Sequence, residues 1–267
     1  MAIAHYIKEI GRGARGAKAL ERAQAADLMG QLLDGLLNYL EIGAFCVAMR
    51  IKGETVEEMC GFLDAVQARS QLLPATTRPV IVLPSYNGAR KLPVLTPLLA
   101  LLLAREGFAV LLHGMRTEAQ RMLASEVLQR LEVPAWERMQ PLAAGQVAHV
   151  ATEVLHPGLA RLLAVRQVLG LRTPGHSLVK LLAPCAGPAV LVGSYTHPEY
   201  SVLMRDVLVA RQMTGLLSRG LEGEVVCDPR RQPRYDAVSQ GQAYCVAEQQ
   251  AGTLAAVSPK PARYVMQ

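Results

Sequence analysis

The run Val80-Ile-Val-Leu83 constrains this chain more than any other stretch. Four consecutive apolar residues stand between a linker-like approach, Pro74-Ala-Thr-Thr-Arg-Pro79, and the turn-forming Pro84-Ser-Tyr-Asn-Gly88. Without polar alternation, such a run predicts a strand buried on both faces, the kind found in parallel sheets covered by helices. The next segments fit that frame. A loop over Pro84–Lys91 leads into a helix ending near Arg105, then a strand at Phe108–Leu112 and an amphipathic helix from Thr117 to about Leu131. This β-α-β-α order predicts an α/β domain with a mostly parallel central sheet, whose ligands lie at the carboxyl ends of the strands.

Upstream of the linker the pattern is helical. Residues 3–10, 19–33 and 41–50 read as helices, and a fourth follows Thr55-Val-Glu-Glu58, where Thr and a Glu three residues on make a capping box. The first two are separated by Gly11-Arg-Gly-Ala-Arg-Gly-Ala-Lys18, whose glycines interrupt any continuous helix. A small helical N-terminal domain over residues 1–73 therefore packs on a larger α/β domain over 79–267. A chain of 267 residues that is 51% hydrophobic can bury such a core, and with 4% aromatic residues Leu, Val, Ala and Met must fill it.

Two loops follow buried strands and precede helices: Pro84–Lys91 and His113-Gly-Met-Arg116. Both fall on one rim of the sheet. Small residues there let backbone N–H groups approach an anion, while Arg90, Lys91 and Arg116 add positive charge. An ordinary strand-to-helix turn with solvated cations fits the local sequence equally well. The net charge of +6 favours anionic partners without naming one. Farther on, a glycine-containing bend in Leu169–Pro184 gathers Arg172, His176 and Lys180; the last two share a face if Pro174–Leu182 is helical. Pro188–Thr196 then reads as a strand, Glu199–Leu217 as a helix and Glu224–Val226 as a strand, with Arg230, Arg231 and Arg234 in a turn.

Other chemistries lack their motifs. The five cysteines are widely spaced with no CxxC pair, which argues against a disulfide framework or a zinc site. Six dispersed histidines form no HExxH, and neither GxSxG nor a P-loop occurs. The N-terminus lacks a signal-peptide core, and Leu92–Ala104 is too short and contains Pro93 and Pro97, so a cytoplasmic protein without a membrane span is expected.

Several segments together resemble the glycosyltransferase family that includes anthranilate phosphoribosyltransferase and shares a fold with nucleoside phosphorylases, in particular its YbiB-type DNA-binding branch. The carriers are Ile7–Gly13, Ala48–Thr55, Pro84–Lys91, His113-Gly114, Leu169–Pro184, Thr196–Tyr200 and Glu222-Gly-Glu224. The resemblance implies a homodimer formed through the helical domain. It also implies sequence-tolerant binding of single-stranded DNA and RNA, with Arg12, Arg15, Lys18, Lys52, Arg90, Lys91, Arg172 and Lys180 as groove cations and Tyr86 and Tyr195 as stacking surfaces.

Departures from the family pattern bear on catalysis. The transferases wrap the pyrophosphate of phosphoribosyl pyrophosphate in a GTGGDG-like loop, where this chain has Pro84-Ser-Tyr-Asn-Gly-Ala89. Ser85, Asn87, Gly88, His113 and Gly114 thus make a phosphate-loop-like element with a single glycine in the first loop, and bulky Tyr86 opposes a tight cradle. The adjacent Asp-Glu pair that holds magnesium in the transferases is replaced by separated Glu222 and Glu224. The expectation is a non-catalytic relative without a cofactor; the alternative is a pentosyltransferase using magnesium and phosphoribosyl pyrophosphate with a divergent site. Pro261–Gln267 reads as the first turns of a helix that stops, so a shortened C-terminus is also expected.

Overall fold

The computed structural model describes residues 3–13, 15–116, 121–228, 230 and 232–250. Four helices open the chain: α1 (Ala4–Ile10), α2 (Arg22–Leu33), α3 (Tyr39–Lys52) and α4 (Val56–Arg69). The capping box read at Thr55 and Glu58 starts α4, and Asn38 with Glu41 starts α3 the same way. Helices α2 and α4 lie side by side because Gly61 presents no side chain; a Cβ there would strike the Arg22 carbonyl and Ala25.

The α/β part runs β1 (Val80–Ser85), α5 (Thr96–Arg105), β2 (Val110–Gly114), α6 (Ala124–Arg130), β3 (Ala135–Trp136), β4 (Val147–Ala151), α7 (Thr152–Leu155) and α8 (Pro157–Leu169). It continues with α9 (Pro174–Leu178), a 3-10 turn at Val179–Leu181, β5 (Ala189–Tyr195), α10 (Pro198–Ala210), β6 (Thr214–Arg219), β7 (Tyr235–Ser239) and β8 (Gln242–Ala247). The strands form one sheet in the order β3-β4-β2-β1-β5-β6-β7-β8. Pairing is parallel from β3 through β6 and antiparallel at β7 and β8.

Every residue of β1 and β2 is buried, as their uninterrupted apolar runs require. Val80, Val82 and Leu111 face a core shared with the helical bundle, whereas Ile81, Leu83, Val110 and Leu112 face a second core under α5 and α6. Helix α8 crosses back to pack on α2 and α3, with Gly158 against the Leu33 backbone. One continuous core therefore ties the bundle to the sheet and fixes the cleft between them.

Three expectations are corrected. The helix read over Glu199–Leu217 ends at Ala210, and Gln212 takes a left-handed φ of 52°. Thr214–Arg219 then joins β5 as a strand, because a short apolar run suits helix or buried strand alike and the open sheet edge decides. The strand expected at Glu224–Val226 is instead a turn in which Leu221 bridges Glu224. The amphipathic helix expected from Thr117 covers only Ala124–Arg130 among the described residues. Residues 117–120 lie outside that set, as does the C-terminal stretch Pro261–Gln267.

Helix α3 leaves an apolar stripe uncovered. Leu40 is 82% exposed and Ile51 60% exposed, with Val47 between them on the same face and Leu36 and Tyr39 exposed just before. No helix among the described residues is long and apolar enough to cross a membrane.

Candidate functional site

The carboxyl ends of β1 and β5 open into a cleft of about 790 Å³ whose far wall is the end of α3 and the start of α4. Arg50, Arg121, Arg172 and Lys180 bring positive charge to it, Glu54, Glu199 and Glu222 negative charge, and Tyr200 an aromatic ring. Burial holds the Glu54 carboxyl above its ordinary range and the Arg172 guanidinium below its own, Arg166 and Arg121 adding to the latter shift. Lys180 is nearly sealed and donates to the Ser194 carbonyl at 3.2 Å and the Gly223 carbonyl at 3.0 Å. Burial pulls its pKa down to about 8, against the opposing pull of Glu224.

His176 also lines the cleft and is 6% exposed. Its Nδ1 accepts from the Thr173 backbone N–H at 3.2 Å, which leaves the proton on Nε2, a buried atom without a hydrogen-bond partner among the described residues. Desolvation, reinforced by Arg172, lowers its pKa to about 4, so the ring is neutral.

The loop after β1 is organised by two glutamates. Buried Glu224 accepts from the Ser85 hydroxyl at 2.5 Å, the Asn87 N–H at 3.0 Å, the Gly88 N–H at 2.8 Å and the Thr96 hydroxyl at 2.9 Å. Glu222 accepts from the backbone N–H groups of Arg90, Lys91 and Leu92 at 3.1, 3.3 and 3.2 Å. Asn87 locks the arrangement: its amide donates to the Glu222 carbonyl, its Oδ1 accepts from Arg172, and its own carbonyl accepts from Arg121. Gly88 sits at a φ of 59°, and a Cβ there would press on the Met122 carbonyl at 2.6 Å, so the one glycine of this loop is required.

The residues singled out from sequence separate into three groups. Asn87, Arg172 and Lys180 do meet at the cleft. Arg90 and Lys91 are exposed on the loop after β1 and do not line the cleft, and Arg12, Arg15 and Lys18 are exposed on the α1–α2 loop, where Arg12 and Lys18 pair with Glu9. The third group is inside the protein. Lys52, read as a groove cation, is held in a buried ion pair with Glu58 at 2.6 Å. Tyr86, read as a stacking surface, is 4% exposed, with its hydroxyl on His113 Nδ1 and Thr152. Tyr195 is mostly buried too, yet it lines the cleft beside Ser194 and Thr196.

His113, placed in the phosphate-loop-like element, bridges Tyr86 and the Leu182 carbonyl with no exposure, and burial lowers its pKa to about 4. Gly114 is needed for close strand pairing, since a Cβ would strike the Ser85 carbonyl. Tyr86 and His113 are residue types that suit an anion site, but β1 and β2 lie in the middle of the sheet, and there both side chains are buried.

Sequence reasoning missed Arg50, Arg121 and Tyr200, which reach the cleft from three separate elements. It also missed that Glu222 and Glu224, more than a hundred residues downstream, would serve the loop after β1. The signal was present in the spacing of the Glu222-Gly-Glu224 motif, but only the sheet order carries the β6 turn to that loop.

A helical bundle over a parallel sheet, with a charged cleft at the strand ends, defines the class of protein. Residues 4–70 match the helical bundle domain of the glycosyl transferase family, and the chain belongs to that family. It is 37% identical to the protein YbiB of Escherichia coli (strain K12) over 241 residues, 88% of this chain and 75% of YbiB. It is 28% identical to the anthranilate phosphoribosyltransferase of Brevibacillus brevis over 222 residues, 77% of this chain but 62% of that enzyme. The crystal structure of anthranilate phosphoribosyltransferase from Thermus thermophilus superposes with a TM-score of 0.72 at 25% identity, covering 90% of this chain and 72% of that one.

Proposed function

We propose that this chain binds a sugar-phosphate polyanion, single-stranded DNA or RNA, along the cationic outer side of the cleft without catalysing pentosyl transfer. The observation that carries this reading is the state of the loop after β1, whose backbone donors are already engaged by Glu222 and Glu224. Magnesium with phosphoribosyl pyrophosphate does not fit these residues. The glutamates turn their carboxylates into the loop instead of presenting an adjacent pair to a metal, and the pyrophosphate would compete with them for the same N–H groups.

Arg90 and Lys91 are exposed on the loop after β1, Arg172 lines the cleft and bonds Asn87 of the same loop, and Arg12, Arg15 and Lys18 are exposed on the bundle. Such a spread of cations suits successive phosphates rather than one nucleotide. With Tyr86 buried away from the cleft and Tyr195 mostly covered, half-buried Tyr200 is the better base-stacking candidate of the two tyrosines that line it. The uncovered stripe of α3 is the surface for a homodimer, which would lengthen the cationic track.

The second reading, a phosphoribosyltransferase with a rebuilt site, has the names of the relatives in its favour, together with a cleft at the strand ends that contains Arg172 and Lys180. Reversing charge at Arg90 and Lys91 tests the choice. Affinity for single-stranded DNA should fall, and its dependence on salt should flatten by roughly 0.7 log units per lost phosphate contact. Unchanged affinity and slope would remove these residues from the binding surface.

A further inference from the structure

We propose that Glu222-Gly223-Glu224 is a built-in anion that fills the backbone cradle after β1, and that this contact decides which phosphates the cleft admits. The inference rests on the reading above only for the role of the outer cations. Five main-chain N–H groups, those of Asn87, Gly88, Arg90, Lys91 and Leu92, converge on the two carboxylates. Successive N–H groups turned toward one concavity bind anions whatever their side chains. The scarcity of glycine has therefore not abolished the cradle. The chain occupies it with charges of its own.

The segment is seated from both sides. Glu222 keeps a left-handed φ of 51°, unusual for a residue with a side chain, while its carboxylate holds three N–H groups. Gly223 has a φ of 89°, and a Cβ on it would fall on the Asn87 side-chain amide, so only glycine lets the segment press this close. From the cleft, Lys180 and the Ser194 hydroxyl donate to the Gly223 carbonyl at 3.0 and 2.9 Å. A small phosphate would have to displace two carboxylates from this seat, whereas a polyanion running past Arg90 and Lys91 would displace none.

Two variants test this with inorganic pyrophosphate as the probe, measured by titration calorimetry without metal. Gly223→Ala retains both carboxylates but unseats the segment; Glu222→Ala empties the outer half of the cradle and leaves the buried Glu224 contacts in place. Wild type should bind pyrophosphate weakly, and each variant at least roughly tenfold more tightly, as expected for freed N–H donors meeting a charged acceptor. Circular dichroism and a melting curve establish that each variant is folded. If Gly223→Ala does not fold, Glu222→Ala alone decides the matter. Wild type binding pyrophosphate as tightly as the variants, or a folded Glu222→Ala that gains nothing, overturns the proposal. Single-stranded DNA titrated into the same wild-type preparation reports separately on the function proposed above.

Discussion

Lys52 gives the sharpest contrast between a binding role and a structural one, and Lys52→Met separates them. Glu58 is fully buried and accepts from the Leu20 N–H at 2.9 Å, the Thr55 N–H at 2.9 Å, the Thr55 hydroxyl at 3.1 Å and Lys52 Nζ at 2.6 Å. Methionine preserves most of the aliphatic stem and removes the charge, so Glu58 keeps its neutral donors and loses its counter-ion. Breaking a buried ion pair from one side costs about 3–5 kcal/mol, and the surviving donors put this case near about 3. For a chain of this size that lowers the melting midpoint by roughly 6–12 °C. Adding Glu58→Gln to Lys52→Met should recover only part of the loss, since no charge is then stranded but the amide nitrogen must face the Leu20 or the Thr55 backbone N–H. The salt slope of DNA binding, measured at a temperature where the variant is folded, should match wild type. An unchanged midpoint together with a slope reduced by about 0.7 would refute the reasoning and return Lys52 to the groove.

Two further outcomes follow from the buried histidines and the exposed stripe. His113, His149 and His176 are each held to a pKa of about 4, chiefly by burial, and are neutral in the native state at pH 7. In the unfolded chain they take up protons below about pH 6.5, so each removes ~1.4 kcal/mol of stability per pH unit as the pH falls from there toward 4. Urea midpoints should drop from pH 7 to pH 5, and less so in His113→Gln; a flat profile would contradict these shifts. Leu40→Asp, at a position 82% exposed, should leave the melting curve of the monomer unchanged while shifting light scattering from dimer to monomer. A mass unaffected by that change would remove α3 from the interface.

Much of the fold was legible because its signals are local. The capping box at Thr55, the apolar runs of β1 and β2 and the glycine break after α1 each act through neighbouring residues, and each is found in the structure, although β2 runs over Val110–Gly114, two residues later than the Phe108–Leu112 expected, and takes in His113 and Gly114. Strand β6 was not legible: Met213–Leu217 is apolar enough for helix or strand, and only the vacant edge beside β5 selects one. The site was legible in its residue types more than in their roles. Lys52, Tyr86 and His113 have the chemistry of an anion groove, yet each is turned inward by a partner, Glu58, Thr152 or Leu182, that lies beyond its own loop. Glu222 and Glu224 stood out as departures from a metal-binding pair, but their service to the loop after β1 depends on contacts spanning about half the chain.

Whether the cleft serves a nucleic-acid strand or a phosphoribosyl donor is tested most directly by fluorescence anisotropy with labelled single-stranded DNA across a salt series. Calorimetry with magnesium and phosphoribosyl pyrophosphate runs beside it on the same preparation. Salt-sensitive binding of the oligonucleotide, with no saturable heat from the small molecule, is the expected result. Tight magnesium-dependent binding of phosphoribosyl pyrophosphate, with no binding of DNA, would contradict it and make the chain a transferase.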